Sequence, residues 1–414
     1  MGPRVLVIGG GASGLVAALT AARAGAAVTL LERGPGLGRK VLASGGGRCN
    51  LGNAGLEVGR YHGDRQFARR VLGRFGLAES LRFFEGLGLM TVQEHDGRVF
   101  PRTGQSRSVL AVLESSLNKT GADVRKGCEV TGVRARDRGF VVEAAGGGAF
   151  EADRVVLACG GASHPQLGGG ELGYRLAESL GLTVSVPSPS LVPLVSKDPW
   201  VRKLAGVRVD AALSAHASGR QVAASRGELL FTAYGVSGPA ALDLSREVCL
   251  ALRGGAEVEC RLNLFPESAR PELERLLLER ARTLKPLSPA ALLRGALPDA
   301  VAEVFLGTLV KEIPLHESPT EEAVLTLARG LSRWRFSVCG HRPWEEAMAS
   351  AGGVRPAEVS SETMEARALK GLFVAGELLD VDGDSGGFNL HFAWATGFLA
   401  GNSAAERQNA ILRP

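Results

Sequence analysis

Residues 4–33 read RVLVIGGGASGLVAALTAARAGAAVTLLER, and this stretch decides the fold. The run Val5–Ile8 is apolar without alternation, as in a parallel strand buried on both faces. Gly9, Gly11 and Gly14 follow in G-x-G-x-x-G spacing. Gly9 permits a tight turn, Gly11 lets backbone approach a pyrophosphate, and Gly14 lets a helix pack close to the strand. The pyrophosphate would lie at that helix's N-terminus, where unpaired N–H groups and the helix dipole favour an anion. Val28–Leu31 supply a second strand, and Glu32 ends it with a carboxylate placed to accept hydrogen bonds from ribose hydroxyls. A glycine motif alone is a weak signal. Strand, turn, helix, second strand and acid in register predict a dinucleotide site. Arg4 ahead of an apolar, Ala-rich run also has the outline of a secretion signal, but three successive glycines in its middle oppose that reading.

The chain has 414 residues, 45% hydrophobic and 22% charged, which predicts two or three globular domains rather than disorder or a fibre. Outside the fingerprint no apolar stretch approaches membrane-spanning length. The cysteines at 49, 128, 159, 249, 260 and 339 form no C-x-x-C pair, so neither a disulfide framework nor a zinc site is signalled. That usage predicts a reducing, cytoplasmic setting. A net charge of +5 over this length argues only weakly for nucleic acid. Arg65 with Arg69 and Arg70 with Arg74 repeat at helical i,i+4 spacing, which reads first as a solvated helix face.

Further along, residues 34–53 are glycine-dense without period and read as a loop, and 65–88 read as helical. A helix is expected from Ser106, with Ser106 or Ser108 as its N-cap, then a β-meander, then a second buried parallel strand in Asp153–Gly161. Four prolines between 187 and 199 mark a boundary. Residues 194–265 alternate apolar and polar as a small antiparallel β unit does, whereas 271–331 turn helical. Leu372–Ala375 looks like a strand returning to the first sheet. The expected organisation is 1–190, 191–268 (β-rich), 269–335 (helical) and 336–414, the first and last forming one domain.

The C-terminal stretch GELLDVDGDSGGFNLHFAWATG (376–397) places Glu377 and Asp380 just past a strand end and opens a helix at Gly386–Gly387. Ligands of such sheets sit beyond the carboxyl ends of the strands. A carboxylate there can hold ribityl hydroxyls, and a helix N-terminus can face the flavin edge where negative charge gathers on reduction. A nicotinamide enzyme needs only the N-terminal half, so the pair of stretches predicts FAD, with NAD(P)H docking transiently as reductant. Asp380, Asp382 and Asp384 imitate a calcium loop, but Ser385 replaces the glycine and His391 the final glutamate, so no metal is expected.

SGGGRCN (44–50), FPRTGQSRSV (100–109), LACGGASHPQLGG (157–169), PSLVPL (189–194), GELLFTAYGVSGPAALDLS (227–245), AGGV…EV…TME (351–365) and the 376–397 stretch occur in one order. Together they resemble the bacterial YhiN/BaiN-type flavoproteins, the aminoacetone-oxidase-like FAD-dependent oxidoreductases, up to about residue 403 apart from 270–335. The resemblance implies an α/β fold: a Rossmann-like FAD-binding domain built from both chain ends, with an inserted small β-barrel-like domain and a small helical domain. It also implies dihydrouridine formation in large-subunit ribosomal RNA or reduction of steroid-like C=C bonds. Ala233 stands where the family usually has His, and Gly52 where Thr is common.

Carried over by position, Gly9, Gly11, Ala12, Ser13 and Gly14 would cradle the pyrophosphate, and Glu32 and Arg33 the adenosine, with Val130, Ala158 and Gly160 beside them. Arg39 and Lys40 would approach the phosphates or adenine. Gly45, Gly46, Gly47 and Arg48 would run along the isoalloxazine. Gly376, Glu377, Asp380, Gly387, Phe388, Asn389 and Leu390 would hold the ribityl and pyrimidine end.

Reducing a C=C bond takes a hydride at one carbon and a proton at the other. Cys49 ranks first as the acid because it follows the glycine loop, then His391 and His164; packing roles are the alternative for Cys49 and His391. A uridine of ribosomal RNA is the expected substrate. A small-molecule flavin reductase or oxidase and a non-catalytic flavin protein are the rivals.

Overall fold

The computed structural model describes residues 2–406. The chain divides into two compact units, 1–188 with 348–414, and 189–347.

The first unit is built on a parallel sheet. Its strands are β1 (Arg4–Ile8), β2 (Ala27–Glu32), β3 (Asp123–Lys126), β4 (Arg154–Leu157) and β5 (Leu372–Val374), in spatial order β5-β4-β1-β2-β3. β1 is central and flanked on both sides, which accounts for the unbroken apolar run Val5–Ile8. Helix α1 (Ala12–Arg23) follows the glycine turn. A second helix, α2 (Arg39–Gly47), occupies what the sequence suggested was loop. Its backbone leaves the helical region at Ser44, Gly45 and Gly46, the two glycines being left-handed, so the helical signal was hidden by its own broken end.

The expected helix over 65–88 is two helices, Arg65–Arg74 and Leu77–Glu85, divided at Phe75–Gly76. Helix α3 (Ser106–Asn118) begins at Ser106 itself, so neither Ser106 nor Ser108 is the cap; the Ser106 hydroxyl donates instead to the Leu42 carbonyl. The C-terminal helix α4 (Phe388–Ala405) lies against α1 at backbone contact distance. A Cβ on Gly397 would stand 2.4 Å from the Ser13 carbonyl oxygen, and one on Gly401 2.4 Å from that of Ala17. β5 and α4 thus bring the last stretch of chain onto the first. Residues 407–414 of the expected 336–414 segment lie outside the described residues.

The second unit holds a seven-stranded sheet in the order 334–338, 258–263, 208–217, 220–232, 235–237, 194–195, 340–341. The outermost strands are consecutive in sequence, parted only by Cys339, so the sheet curls until its edges adjoin. A helix, Pro239–Arg253, sits inside the segment read as purely β. Proline at its first turn and apolar positions at 240, 241, 244 and 248 were its signal. Strand residues such as Phe231, Leu213 and Phe336 share one core with Leu277, Phe305, Leu327 and Leu331 of the helical segment. The packing does not separate 191–268 from 269–335.

Candidate functional site

The glycine turn after β1 has the close contacts its motif demands. Gly9 has φ +107° and donates its N–H to the Leu31 carbonyl at 2.8 Å. A Cβ there would strike the Ala158 carbonyl at 2.3 Å, and one on Gly14 would strike the Gly9 carbonyl at 1.8 Å. A Cβ on Gly11 would meet nothing within 4 Å, so the turn is open where a phosphate would approach. The first turn of α1, with Ala12 and Ser13, carries no acid, and neither does that of α4. Both N-termini can therefore receive anionic groups without like-charge repulsion.

Glu32 accepts from the Gly10 N–H at 2.7 Å and the Gly34 N–H at 2.6 Å, which fixes its carboxylate at the carboxyl end of β2. It lines a small, partly open cleft of about 50 Å³ with Gly9, Arg33, Val130, Cys159 and Gly170. Burial and the Glu32 charge push the Cys159 thiol up to about 12, so it sits in the cleft as a neutral wall. Arg33 donates to the carbonyls of Gly168 and Gly169 at 2.6 and 2.8 Å, and Arg39 to that of Gln166. These two arginines hold the 164–170 loop that follows β4, Ala158 and Gly160.

Lys40 lies deeper, between two strand ends. Its Nζ is 2.8 Å from both Glu377 Oε2 and Ser163 Oγ, while Ser163 and Ser350 hydroxyls donate to Glu377 Oε1 at 2.5 and 2.9 Å. Burial alone would raise the Glu377 carboxyl; Lys40 and the two serines outweigh it and hold the group below its ordinary value. Lys40, expected near phosphate or adenine, is thus also the counter-ion of Glu377. Asp380 spends one oxygen on the Gly352 N–H at 3.0 Å. Gly376, at φ +76°, donates to Thr396 Oγ1, and a Cβ there would meet Ser13 Oγ at 2.4 Å, so the C-terminal motif touches the N-terminal one.

The 44–50 loop runs to the start of α4, where a Cβ on Gly387 would fall 2.7 Å from Asn50 Oδ1. Gly45, Gly46 and Gly47 are all left-handed, and Cβ atoms on Gly46 or Gly47 would meet nothing closer than 4.0 Å, leaving a bare backbone face. Arg48 turns from that face. Its guanidinium stacks 3.9 Å above the Phe100 ring and pairs with Glu94 at 2.6 Å. The Asn389 side chain accepts from the Gly383 N–H and donates to the Gly383 carbonyl, so only its backbone remains for a ligand. The Phe388 carbonyl takes the buried Tyr61 hydroxyl, and Leu390 completes the turn.

The three expected acids do not stand alike. Cys49 and His391 are both 0% exposed. Burial pushes the Cys49 thiol up to about 12, offset only in part by a hydrogen bond with Ser44. Burial pulls the His391 imidazole down to about 4, and its Nε2 lies 3.1 Å from the Phe75 carbonyl, which can only accept. His391 is therefore neutral near pH 7 with its proton on Nε2. Only His164, left-handed at φ +49°, keeps partial exposure. Cys49→Ala is expected to keep turnover within about tenfold of the parent, whereas loss of a true general acid costs 10²–10⁴. Steady-state kinetics of the flavin-loaded variant check this, and a 10³-fold fall would restore Cys49 to that role.

Sequence reasoning missed the Ser163 and Ser350 contacts with Glu377, and also a His–Asp pair. His62 Nε2 lies 2.8 Å from Asp384 Oδ1, and Arg60 Nη1 lies 3.3 Å from Oδ2. The only signal for the pair was Asp384 in the rejected calcium-like run. Among the described residues no group of three or more metal-ligating side chains occurs, and no helix is long and apolar enough to cross a membrane.

The residues present fit FAD: two acid-free helix N-termini, an anchored carboxylate over a cleft, and an open glycine face. The family model described as HI0933-like protein Rossmann domain matches residues 3–403. A 3-dehydro-bile acid delta(4,6)-reductase of Clostridium scindens is 39% identical over 410 residues, 98% of this chain and 99% of the relative. A ribosomal RNA dihydrouridine synthase of Escherichia coli is 31% identical, covering 94% of this chain and 95% of the relative. A 3-ketosteroid delta1-dehydrogenase of Sterolibacterium denitrificans superposes at a TM-score of 0.50 with 12% identity, over 97% of this chain and 99% of that one, which speaks to fold alone. The chain belongs to the HI0933-like Rossmann family and is an FAD-dependent oxidoreductase.

Proposed function

We propose that this member of the HI0933-like Rossmann family saturates a C=C bond conjugated to a carbonyl in a small-molecule substrate, drawing electrons from NAD(P)H. The observation that carries the reading is the chemistry common to the two relatives' names. A delta-4 bond beside a 3-oxo group and the 5,6 bond of uracil are both conjugated to a carbonyl. Bound FAD would supply two-electron hydride chemistry; the chain's residues bind and orient it. Glu32 holds the adenosine end, the α1 N-terminus the pyrophosphate, Lys40 and Glu377 the ribityl region, and the α4 N-terminus the pyrimidine edge. The only parallel nucleotide-type sheet among the described residues is the one already assigned, which supports transient docking of the nicotinamide.

Ribosomal RNA is the second reading, favoured by the name of the 31% relative. The arginine helix lends it less than its sequence suggested. Arg65 donates to the Tyr61 carbonyl, Arg70 to Ser361, and Arg74 pairs with Glu362 at 2.8 Å, so three of the four clustered arginines are engaged within the unit. The test is anaerobic reduction of the purified yellow protein by NADPH or NADH, then addition of a 3-oxo-delta-4 steroid, 2-cyclohexenone or ribosomal RNA from a deletion strain. Reoxidation by the enones, with unchanged dihydrouridine in the deletion strain, is expected. Loss of dihydrouridine in that strain with inert enones would transfer the assignment to RNA. A flavin that no nicotinamide reduces would make the protein a non-catalytic binder.

A further inference from the structure

Cys49 and His391, two of the three groups first suspected as the proton donor, are sealed in the interior. The His62–Asp384 pair has the construction they lack. His62 lies on a three-residue strand, Tyr61–Gly63, paired antiparallel with Val381–Gly383 so that His62 stands opposite Asp382. Asp384 follows that partner strand, and its N–H donates to the Arg60 carbonyl at 2.9 Å, locking the two segments together. Two residues later Gly386 and Gly387 turn into α4, the helix end assigned above to the cofactor's pyrimidine edge. The His62 side chain is 19% exposed and the Asp384 carboxylate 12%, so the ring reaches solvent while the group that orients it is mostly covered. Arg60 Nη1, 3.3 Å from the second carboxylate oxygen, helps fix the Asp384 side chain in place.

We propose that His62 is the proton donor of the reduction and Asp384 its positioning residue, an inference that rests on the proposed enone chemistry. A carboxylate on Nε2 keeps that nitrogen protonated and leaves Nδ1 as the site that gains and gives up a proton. The balance is simple. Two electrons and a hydrogen reach the β carbon as hydride, drawn from the nicotinamide-class reductant. The Nδ1–H bond of the imidazolium breaks, a C–H bond forms at the α carbon, and the carbonyl is restored. The imidazole is left neutral, with Asp384 still accepting from Nε2–H, and it takes a fresh proton from water through its exposed edge.

The test uses the flavin-loaded full chain and the variants His62→Gln and Asp384→Asn, with 2-cyclohexenone as substrate and cyclohexanone as a ligand that cannot be reduced. Anaerobic reduction by NADPH is expected to stay within about twofold in both variants. Reoxidation by cyclohexenone is expected to slow about 10²–10⁴-fold in His62→Gln and less in Asp384→Asn, where the ring remains but loses its orientation. In the oxidised parent protein, the His62 Cε1 proton resonance is expected to shift on adding cyclohexanone, a readout that needs no turnover. Equal loss in both half-reactions together with lower thermal stability would make the pair a structural latch and overturn the proposal, as would unchanged reoxidation in His62→Gln or an unmoved resonance. If the reduced parent protein ignores every enone, the functional reading fails and the proposal falls with it. If the parent responds and His62→Gln matches it, the functional reading stands and His62 alone is refuted.

Discussion

Gly397→Val is expected to leave a chain that neither retains FAD nor unfolds cooperatively at ambient temperature. The missing Cβ of Gly397 is the space occupied by the Ser13 carbonyl, 2.4 Å away, and the Ser13 α carbon and carbonyl carbon stand at 3.0 Å. Backbone cannot rotate aside as a long side chain can, so α1 and α4 must separate. Overpacking against movable side chains already costs about 1–3 kcal/mol, and an immovable wall puts the cost at about 3 kcal/mol or more. Set against a total of about 5–15 kcal/mol for an ordinary domain, that is a large fraction. The same displacement shifts the first turn of α1, where the pyrophosphate is proposed to bind. Gly397→Ala is the sharper variant, because alanine is favoured in a helix by about 1 kcal/mol and should stabilise if packing were absent. Gly73, exposed in the Arg65–Arg74 helix with nothing within 4 Å of its would-be Cβ, supplies the control. Denaturant melts should show Gly73→Ala more stable than the parent and Gly397→Ala less; equal gains would refute the packing argument.

Acid should weaken the fold through His391. Its ordinary value is 6.5, and in the folded protein burial lowers it to about 4. Between those values the unfolded chain binds a proton that the folded chain refuses, so stability is full above pH 6.5 and falls as pH drops towards 4. At about 1.4 kcal/mol per unit of difference the loss approaches about 3 kcal/mol. Protonation would place a charge on Nδ1, which has no partner and faces the Gly52 backbone. His391→Gln removes this titration while its amide can still donate to Phe75, so the variant's stability should vary less between pH 4 and 6.5. Chemical denaturation across that range, with parallel curves for parent and variant, would show that other groups govern the acid limb.

Where the sequence was legible, one residue type did one thing. The β1 run, the glycines at 9, 11 and 14 and the acid at 32 each answer a single geometric demand, and all appear where their spacing placed them. The Leu372–Val374 strand and the 388 helix start were legible for the same reason. Helix α2 was not, because Ser44–Gly47 end it in left-handed turns and composition there speaks only of loop. The Pro239–Arg253 helix was masked by strands on both sides in a segment whose average pattern is alternating. Polar partnerships at the site were the least legible. Nothing in sequence ties Lys40 to Glu377 across 337 positions, or His62 to Asp384 across 322, because such pairs exist only once distant segments are brought together. Cys49 looked reactive beside its glycine loop; its burial depends on packing from distant parts of the unit.

Two strands, Val184–Ser190 and Ala349–Val354, hydrogen-bond to each other in a two-stranded sheet at the points where the chain leaves and regains the first unit. Gly352, at φ +83°, admits the Val186 carbonyl where a side chain would stand. Between the units' boundaries lie 189–347, yet for the host fold this whole segment is a loop already closed by its own stem. Loop closure costs grow only with the logarithm of length, and here the stem sets the spacing of the ends. The inserted unit can thus lengthen, shrink or be exchanged over evolutionary time without re-pairing a strand of the FAD domain.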